Sequence, residues 1–464
     1  MASTANQRAA VHLSLSRRLI AFIGIDRPIA FTVMGRTIQG LGSAATVLLI
    51  VHFLTAAEQG YYYTLWSLVA LQSVFELGFS FVILQVAAHE RAHLEILPDG
   101  TITGSRKAHL RLASALQKTL RWYISAAVVM GIVLWIGGAH FFSLRHESGT
   151  SALWAWPLRA TVAACSITFA IGPVLSFIEG CGQVTAVFRM RFFQSIASTL
   201  AAWTSLLSHH GLFAPAMVLL AQGAVACIFL STRRSILVPL LKLDSREWGI
   251  NWGREVWPFQ WKIAVSWLCD YFVFQLFTPV LFAFRGPVEA GRMGLSMSVV
   301  TQLSAIMLAW ITTKAAPFGH LIAQKRSADL DRLFFRSLRQ SMLLFGGVAL
   351  LLLMGVILLP HIWVKLGHRI VSWPVFLLLL LTALGSHVIQ SEAIYLRAHK
   401  REPFLLQSMI IAATMCACVF YFAKASGTLG VAAAFCLVLG LCGSISATWI
   451  FLNQRSKWRE VPVV

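Results

Sequence analysis

The sequence predicts an all-α polytopic membrane protein of about 12 transmembrane helices, in two six-helix bundles related by a pseudo-two-fold axis. Three observations carry this expectation. Of 464 residues, 58% are hydrophobic and only 12% charged, whereas soluble domains carry about a quarter charged residues. Apolar runs recur at lengths that cross a hydrocarbon core of roughly 30 Å at about 1.5 Å per residue. The clearest break in composition, STRRSILVPLLKLDSREWGINWGREVWPFQWK, follows the sixth run and divides the spans six and six.

In chain order, residues 1–27 contain LIAFIGI, too short to span and followed by Asp26 and Arg27 rather than a cleavage site. They read as a cytoplasmic N-terminal segment ahead of an uncleaved anchor. The first two spans, 28–54 and 61–88, form a hairpin across the polar turn TAAEQG, and the remaining chain is organised around it. Further spans follow at 122–143, 156–178, 190–208 and 214–231, completing a first bundle over 28–231. A cytoplasmic linker occupies 232–257. The second bundle, 258–452, holds spans at 258–284, 292–316, 340–360, 373–396, 403–423 and 429–452, and a cytoplasmic tail covers 453–464.

Two places suggest that the halves repeat. Glu58-Gln-Gly60 and Glu289-Ala-Gly291 each precede a serine seven residues on, Ser67 and Ser298; Leu116-Gln-Lys-Thr-Leu-Arg121 matches Phe334-Phe-Arg-Ser-Leu-Arg339. Six spans return each half to the same side, so the repeats are parallel, an architecture found above all in transporters. The segments before spans three and nine are amphipathic: Leu112, Leu116 and Leu120 oppose Lys107, Arg111, Lys118 and Arg121. They read as interfacial helices on anionic lipid. Asp99-Gly100 in LEILPDGTITGS signals a small hairpin.

The net charge of +20 is a matter of topology. Most Lys and Arg residues fall in segments that are cytoplasmic if the N-terminus is inside; the opposite side holds Arg145, Arg285, Arg292, Lys365, Arg369 and Lys424. The asymmetry puts both termini in the cytoplasm and makes anionic membrane lipid the partner of the basic surface, with no nucleic acid required. The eight cysteines lie in or beside apolar segments without a CxxC pair, which reads as core packing, not a metal site. The chain is not expected to be an enzyme or to need a cofactor. Its longest loop, roughly thirty residues, is too short to bury a catalytic core. Asp329-Leu-Asp331 sits where residues two apart on a helix diverge, and Gly180-Cys-Gly182 lacks the context of a phosphate cradle. Without a nucleotide-binding motif, uphill transport would draw on an ion gradient.

Charges inside the spans are the candidate sites. Arg36, about eight residues into span one, offers a guanidinium fork suited to a diphosphate, or forms a structural pair with Glu76. Glu76, near mid-membrane in FELGFS, and Asp270, in WLCDYFVFQ, are the candidate ion-coupling carboxylates. Lys262 and Arg159 join Arg36 as candidate substrate-binding residues. Each has a structural alternative, Lys262 as a charge at the cytoplasmic edge and Arg159 as an arginine snorkelling from the outer end of span four. Glu179 and Glu392 read as ion-paired with nearby arginines, and His387 as a core histidine.

The basic residue in the first span, the turn AEQGYY and the second-span Glu-Leu-Gly resemble the polysaccharide exporters of the multidrug, oligosaccharidyl-lipid and polysaccharide superfamily. Among these the chain is most similar to the O-antigen flippases of lipopolysaccharide biosynthesis. The resemblance implies a V-shaped pair of bundles that moves a polyprenyl-diphosphate-linked oligosaccharide across a bacterial inner membrane by alternating access. It implies a cationic cavity, to which Arg36 corresponds, and polysaccharide assembly proteins as further partners. An ion-coupled multidrug exporter, which favours acidic cavity residues, is the alternative that Glu76 and Asp270 support; a membrane-embedded glycan-modifying enzyme is a third.

Overall fold

A computed structural model describes residues 42, 43, 45–91, 93–97, 101–143, 151–245, 248–314, 317, 318, 321, 322, 324–399 and 403–460. Arg36, and with it the expected pairing to Glu76, lies outside these residues. The described chain is almost wholly helical, and the expected all-α polytopic fold is what it adopts. Among the described residues eight helices are long and apolar enough to cross a membrane, nine if one bent pair is a single span.

The first helix, α1, covers 45–53 and is followed by α2, Ala56–Ala70. A capping box starts α2: the Thr55 hydroxyl accepts from the Glu58 N–H at 3.2 Å, and the Glu58 carboxylate accepts from the Thr55 N–H at 2.7 Å. Span two is broken, continuing as α3, Gln72–Glu76, and α4, Phe79–Arg91. The break falls at Leu77 (φ 50°) and Gly78 (φ 69°), both left-handed. Antiparallel strands β1, Leu94–Ile96, and β2, Ile102–Gly104, then pair with Ile96 opposite Ile102, forming the small hairpin that Asp99-Gly100 signals.

Helix α5 runs unbroken from Arg106 to Ser143, which corrects the expectation of a separate interfacial helix. No Gly or Pro interrupts residues 106–130, so the amphipathic segment continues straight into the span. Its apolar stripe, Leu112 and Leu116, is buried by protein. Its basic face is also engaged by the linker: Lys107 lies 4.6 Å from the Trp248 ring, Lys118 donates to the Ile250 carbonyl at 2.6 Å, and Arg111 bridges Glu90 and Glu255. Helices α6 (Ser151–Gly180), α7 (Val184–Leu207) and α8 (Ala214–Ser231) pack with α4 and α5 as one group. A short α9, Arg234–Lys242, lies against α5, whose Gln117 amide donates to the Leu240 and Leu243 carbonyls.

The second group begins with α10 (Trp257–Phe274) and α11 (Phe277–Arg285), bent 41° from the Ile263–Phe274 stretch. It continues with α12 (Pro287–Thr312), α13 (Ser327–Ile362), a one-turn α14 (Val364–Gly367), α15 (Trp373–Ala398), α16 (Leu405–Ala425), α17 (Gly427–Phe435) and α18 (Ser444–Glu460). A π-helical stretch, Cys436–Gly443, joins the last two. Helix α13 repeats the continuity of α5. Its first turns are fixed by Asp331, which takes the Arg455 guanidinium at 2.9 Å and the Tyr395 hydroxyl at 2.8 Å. Asp329 instead faces Arg326, so the two carboxylates of the DxD diverge as the helix requires. Glu179 pairs with Arg191 at 2.9 Å, but among the described residues Glu392 is met by the Thr448 hydroxyl and not by an arginine. His387 is a buried core residue 2.9 Å from the Ser341 hydroxyl.

Candidate functional site

Two cavities among the described residues bear on the site. The larger, about 1220 Å³, lies between the two helix groups. It is lined from Tyr63 and Gly294 at one end to Thr312, Arg397 and Phe404 at the other. The latter end is where α5 and α13 begin and is called here the basic end. The wall is largely apolar, interrupted by serine, threonine and glutamine side chains from eight spans, with an aromatic face from Tyr62, Tyr63 and Trp66. Asp270 and Arg397 are the charged residues of that lining.

The smaller cavity, about 210 Å³, is inside the first group. Glu76 lines it with Gln72, Ser80, Tyr123, Thr168, Gln194 and Gln222, and the Ser80 side chain interacts with the Glu76 carboxyl. The left-handed Leu77-Gly78 turn ends α3 directly after Glu76, so the carboxyl sits where backbone regularity is lost, as ligand-facing groups inside membranes do. Gln72 and Gln222 line both cavities. They form the partition between them.

The two expected ion-coupling residues are therefore not brought together, since Asp270 faces the central cavity and Glu76 the smaller one. Arg159 is exposed on α6, 5.0 Å from the Trp156 ring, and lines neither cavity. Lys262 lies on α10, one turn after the first residues of that helix; its side chain is outside what the structure describes. Sequence reasoning based on charge missed Gln72, Gln222 and Arg397. The signal for the first two was present, because glutamines recur inside otherwise apolar runs at Gln72, Gln194, Gln222, Gln275, Gln302, Gln390 and Gln407.

Away from the basic end the helix groups are sealed against each other. A Cβ on Gly60 would collide with the Pro287 carbonyl, and one on Gly291 would come within 2.8 Å of the Gly60 nitrogen. The sequence-matched turns of the two halves thus pack backbone to backbone. Phe282 of α11 inserts among Tyr61, Phe141 and Phe142 with ring centroids 5.2–5.5 Å apart. Gln59, almost fully buried, donates to the carbonyls of Gly291 at 2.8 Å and Arg369 at 3.1 Å. The cavity is closed at this far end and extends to the basic end.

Two helix groups thus flank a central cavity that is closed at the far end. No protein-family model matches the sequence, and no curated protein matches it. Solved structures do match in fold. An inward-facing multidrug resistance MATE family transporter of the MOP superfamily aligns with TM-score 0.59 and 11% identity, over 91% of this chain and 100% of its own. A MATE in the bent conformation aligns at 0.59 and 11%, over 95% and 98%. A MOP superfamily transporter from Pyrococcus furiosus Vc1, described by the reverse polarity of its binding pocket, aligns at 0.56 and 13%, over 95% and 99%. At such identities the likeness establishes the fold, and the flippase branch of the resemblance gains nothing from it.

Proposed function

We propose that the protein is an ion-coupled secondary transporter that exports an amphipathic solute by alternating access, and not an enzyme. The observation that carries this reading is the central cavity, walled by both helix groups, closed at the far end and reaching the basic end. The basic end faces the cytoplasm of a bacterial inner membrane by the positive-inside rule, so the closed form is the loading form. The fold neighbours described as multidrug resistance transporters support a drug-like cargo. Tyr62, Tyr63 and Trp66 supply stacking surface, and Asp270 a counter-charge for a cation. Glu76, apart from the cargo in its own polar cavity, is the ion-coupling carboxyl: it would bind a proton or cation in one state and release it in the other.

A second reading, the polyprenyl-diphosphate-linked oligosaccharide flippase, is favoured by one observation. The hydroxyls and amides set into the wall could hydrogen-bond a sugar. In that reading Arg36 and Lys262 remain candidate contacts for the substrate, Arg159, which lines neither cavity, is the weakest of the three, anionic lipid meets the basic face, and assembly proteins of the surface polysaccharide are partners.

The deciding experiment depletes the protein in its host and measures both cationic-dye efflux and polyprenyl-diphosphate-linked glycan. Lost efflux that wild type restores but Asp270→Asn does not supports the exporter. Accumulated lipid-linked glycan with unchanged efflux overturns it in favour of the flippase. In proteoliposomes, Glu76→Gln should abolish the dependence of transport on the ion gradient while downhill exchange persists; full gradient dependence in that variant removes Glu76 from the coupling role.

A further inference from the structure

We infer that Arg369 and Gln59 form the latch that holds the far end shut, and that they set which end of the central cavity is open. The inference rests on the alternating-access reading and adds to it residues that neither charge inside the spans nor the fold likeness points to.

The geometry is that of a strap. The short loop after α14 is anchored to its own helix group at two points: the Arg292 guanidinium donates to the His368 carbonyl at 3.0 Å, and the Val371 N–H donates to the Ser296 hydroxyl at 3.2 Å. Between these anchors the loop extends Arg369 across the seam. Its guanidinium donates to the Leu54 carbonyl at 2.6 Å and to the Gln59 side-chain oxygen at 3.4 Å. Leu54 directly follows α1, at the end where a helix's last carbonyls have no partner within it. A cation at that position is favoured both by the open lone pairs and by the helix dipole. Gln59 answers from the first group by donating to Gly291 and to the backbone of Arg369 itself.

The latch joins the hairpin turn of one half to two separate stretches of the other. Every bond in it has one partner on each side of the seam, so none survives if the groups part there. The glycine contact beneath it supplies close approach without specificity. The Arg369 fork supplies direction, because a charge-assisted donor pair is satisfied only when turn and loop are in register. Opening the far end exposes Gln59 and Arg369 to water, which replaces their bonds at little cost, so the latch can be released as well as closed. Arg369 is one of the few basic residues on its side of the sequence, and its placement here gives that exception to the charge asymmetry a role.

The test uses the full chain with its eight native cysteines replaced and Thr301→Cys, exposed in the wall of the central cavity, as reporter. A membrane-impermeant maleimide is applied separately to each face of the membrane. With the latch intact, labelling should occur from the basic face. Arg369→Ala and Gln59→Leu should each raise labelling from the far face about tenfold, the effect of losing hydrogen bonds to a charged group, and lower it from the basic face. Arg369→Lys, which keeps the charge and loses the fork, should fall between. Unchanged far-face labelling in both variants, with gel filtration showing folded protein, overturns the proposal. The outcome is separable from the transport reading: labelling that shifts in a chain that moves no solute supports the latch and sinks the transporter, whereas transport with labelling indifferent to both variants does the reverse.

Discussion

Arg111 ties together three stretches distant in sequence: the end of span two through Glu90, its own helix α5, and the linker through Glu255. With Glu90 nearly buried, Arg111→Ala should cost about 1–3 kcal/mol and lower the thermal midpoint in detergent. An unchanged midpoint would mean that the linker is held by Lys118 and Gln117 alone. Glu255 adds a pH dependence. The Arg111 guanidinium, seconded by the Asn251 N–H, holds its carboxyl below the usual carboxylate range. A depressed pKa contributes stability that is present above the ordinary carboxylate pKa and lost as pH falls through the folded value. Wild type should therefore lose more stability than Glu255→Gln between neutral and strongly acidic pH; parallel losses would refute this. Asp331 is the equivalent tie in the second half. Arg455→Met should cost about 3–5 kcal/mol by leaving a buried carboxylate without its cation, while Tyr395→Phe, which removes one bond, should cost less. None of these pairings was legible in the sequence, where Lys107, Arg111 and Lys118 form a basic face and nothing indicates that the linker folds back onto it. Glu76 and Asp270 were legible because a carboxylate in an apolar run stands out. Gln72 and Gln222 were legible only as members of a set of glutamines recurring in apolar runs, since a single amide contrasts less with its surroundings than a carboxylate.

Among the elements, the crossing of α2 and α12 is the most constrained. Lipid tails are as apolar as leucine, so helices inside a membrane are drawn together by close packing more than by burial from water. Gly60, Gly291 and Gly294 supply that packing; a Cβ on Gly294 would lie 2.5 Å from the Cβ of Tyr63. Gly60→Ala should force the helices apart at the far end, at a cost of about 1–3 kcal/mol, and far-face labelling of the Thr301→Cys reporter should rise as it does for the latch variants. Wild-type labelling with a wild-type thermal midpoint would show that the seam yields more easily than the geometry allows. The paired Glu-x-Gly turns were visible in the sequence as a repeat. That the two copies touch each other was not, because a repeat fixes similarity and says nothing of adjacency. The break in span two was partly legible through Glu-Leu-Gly, since glycine permits the left-handed turn; that Leu77 joins it was not.

For the whole molecule, the sequence conveyed class well, because length and hydropathy are properties of each run by itself. It conveyed the cavity poorly, because a void depends on how separate runs tilt. Under the proposed transport reading, binding of cargo should bring opposite changes at the two ends of the cavity. Hydrogen exchange in detergent, with and without a transported dye, should become faster in the segments around Gln59 and Gly291 while slowing around Thr312 and Arg397. Changes of the same sign at both ends would indicate simple stabilisation by binding and not a change of access.

The unbroken run of α5 has a mechanical consequence. Its 38 residues make a rod roughly 57 Å long at about 1.5 Å per residue. A tilt of about 10° about one end sweeps the other through roughly 10 Å. The linker grips this rod near its end, at Lys107, Arg111 and Lys118, so under the proposed alternation of access α5 would be a lever arm whose movement is largest at the basic surface. Anything that clamps that end acts as a brake with a long mechanical advantage.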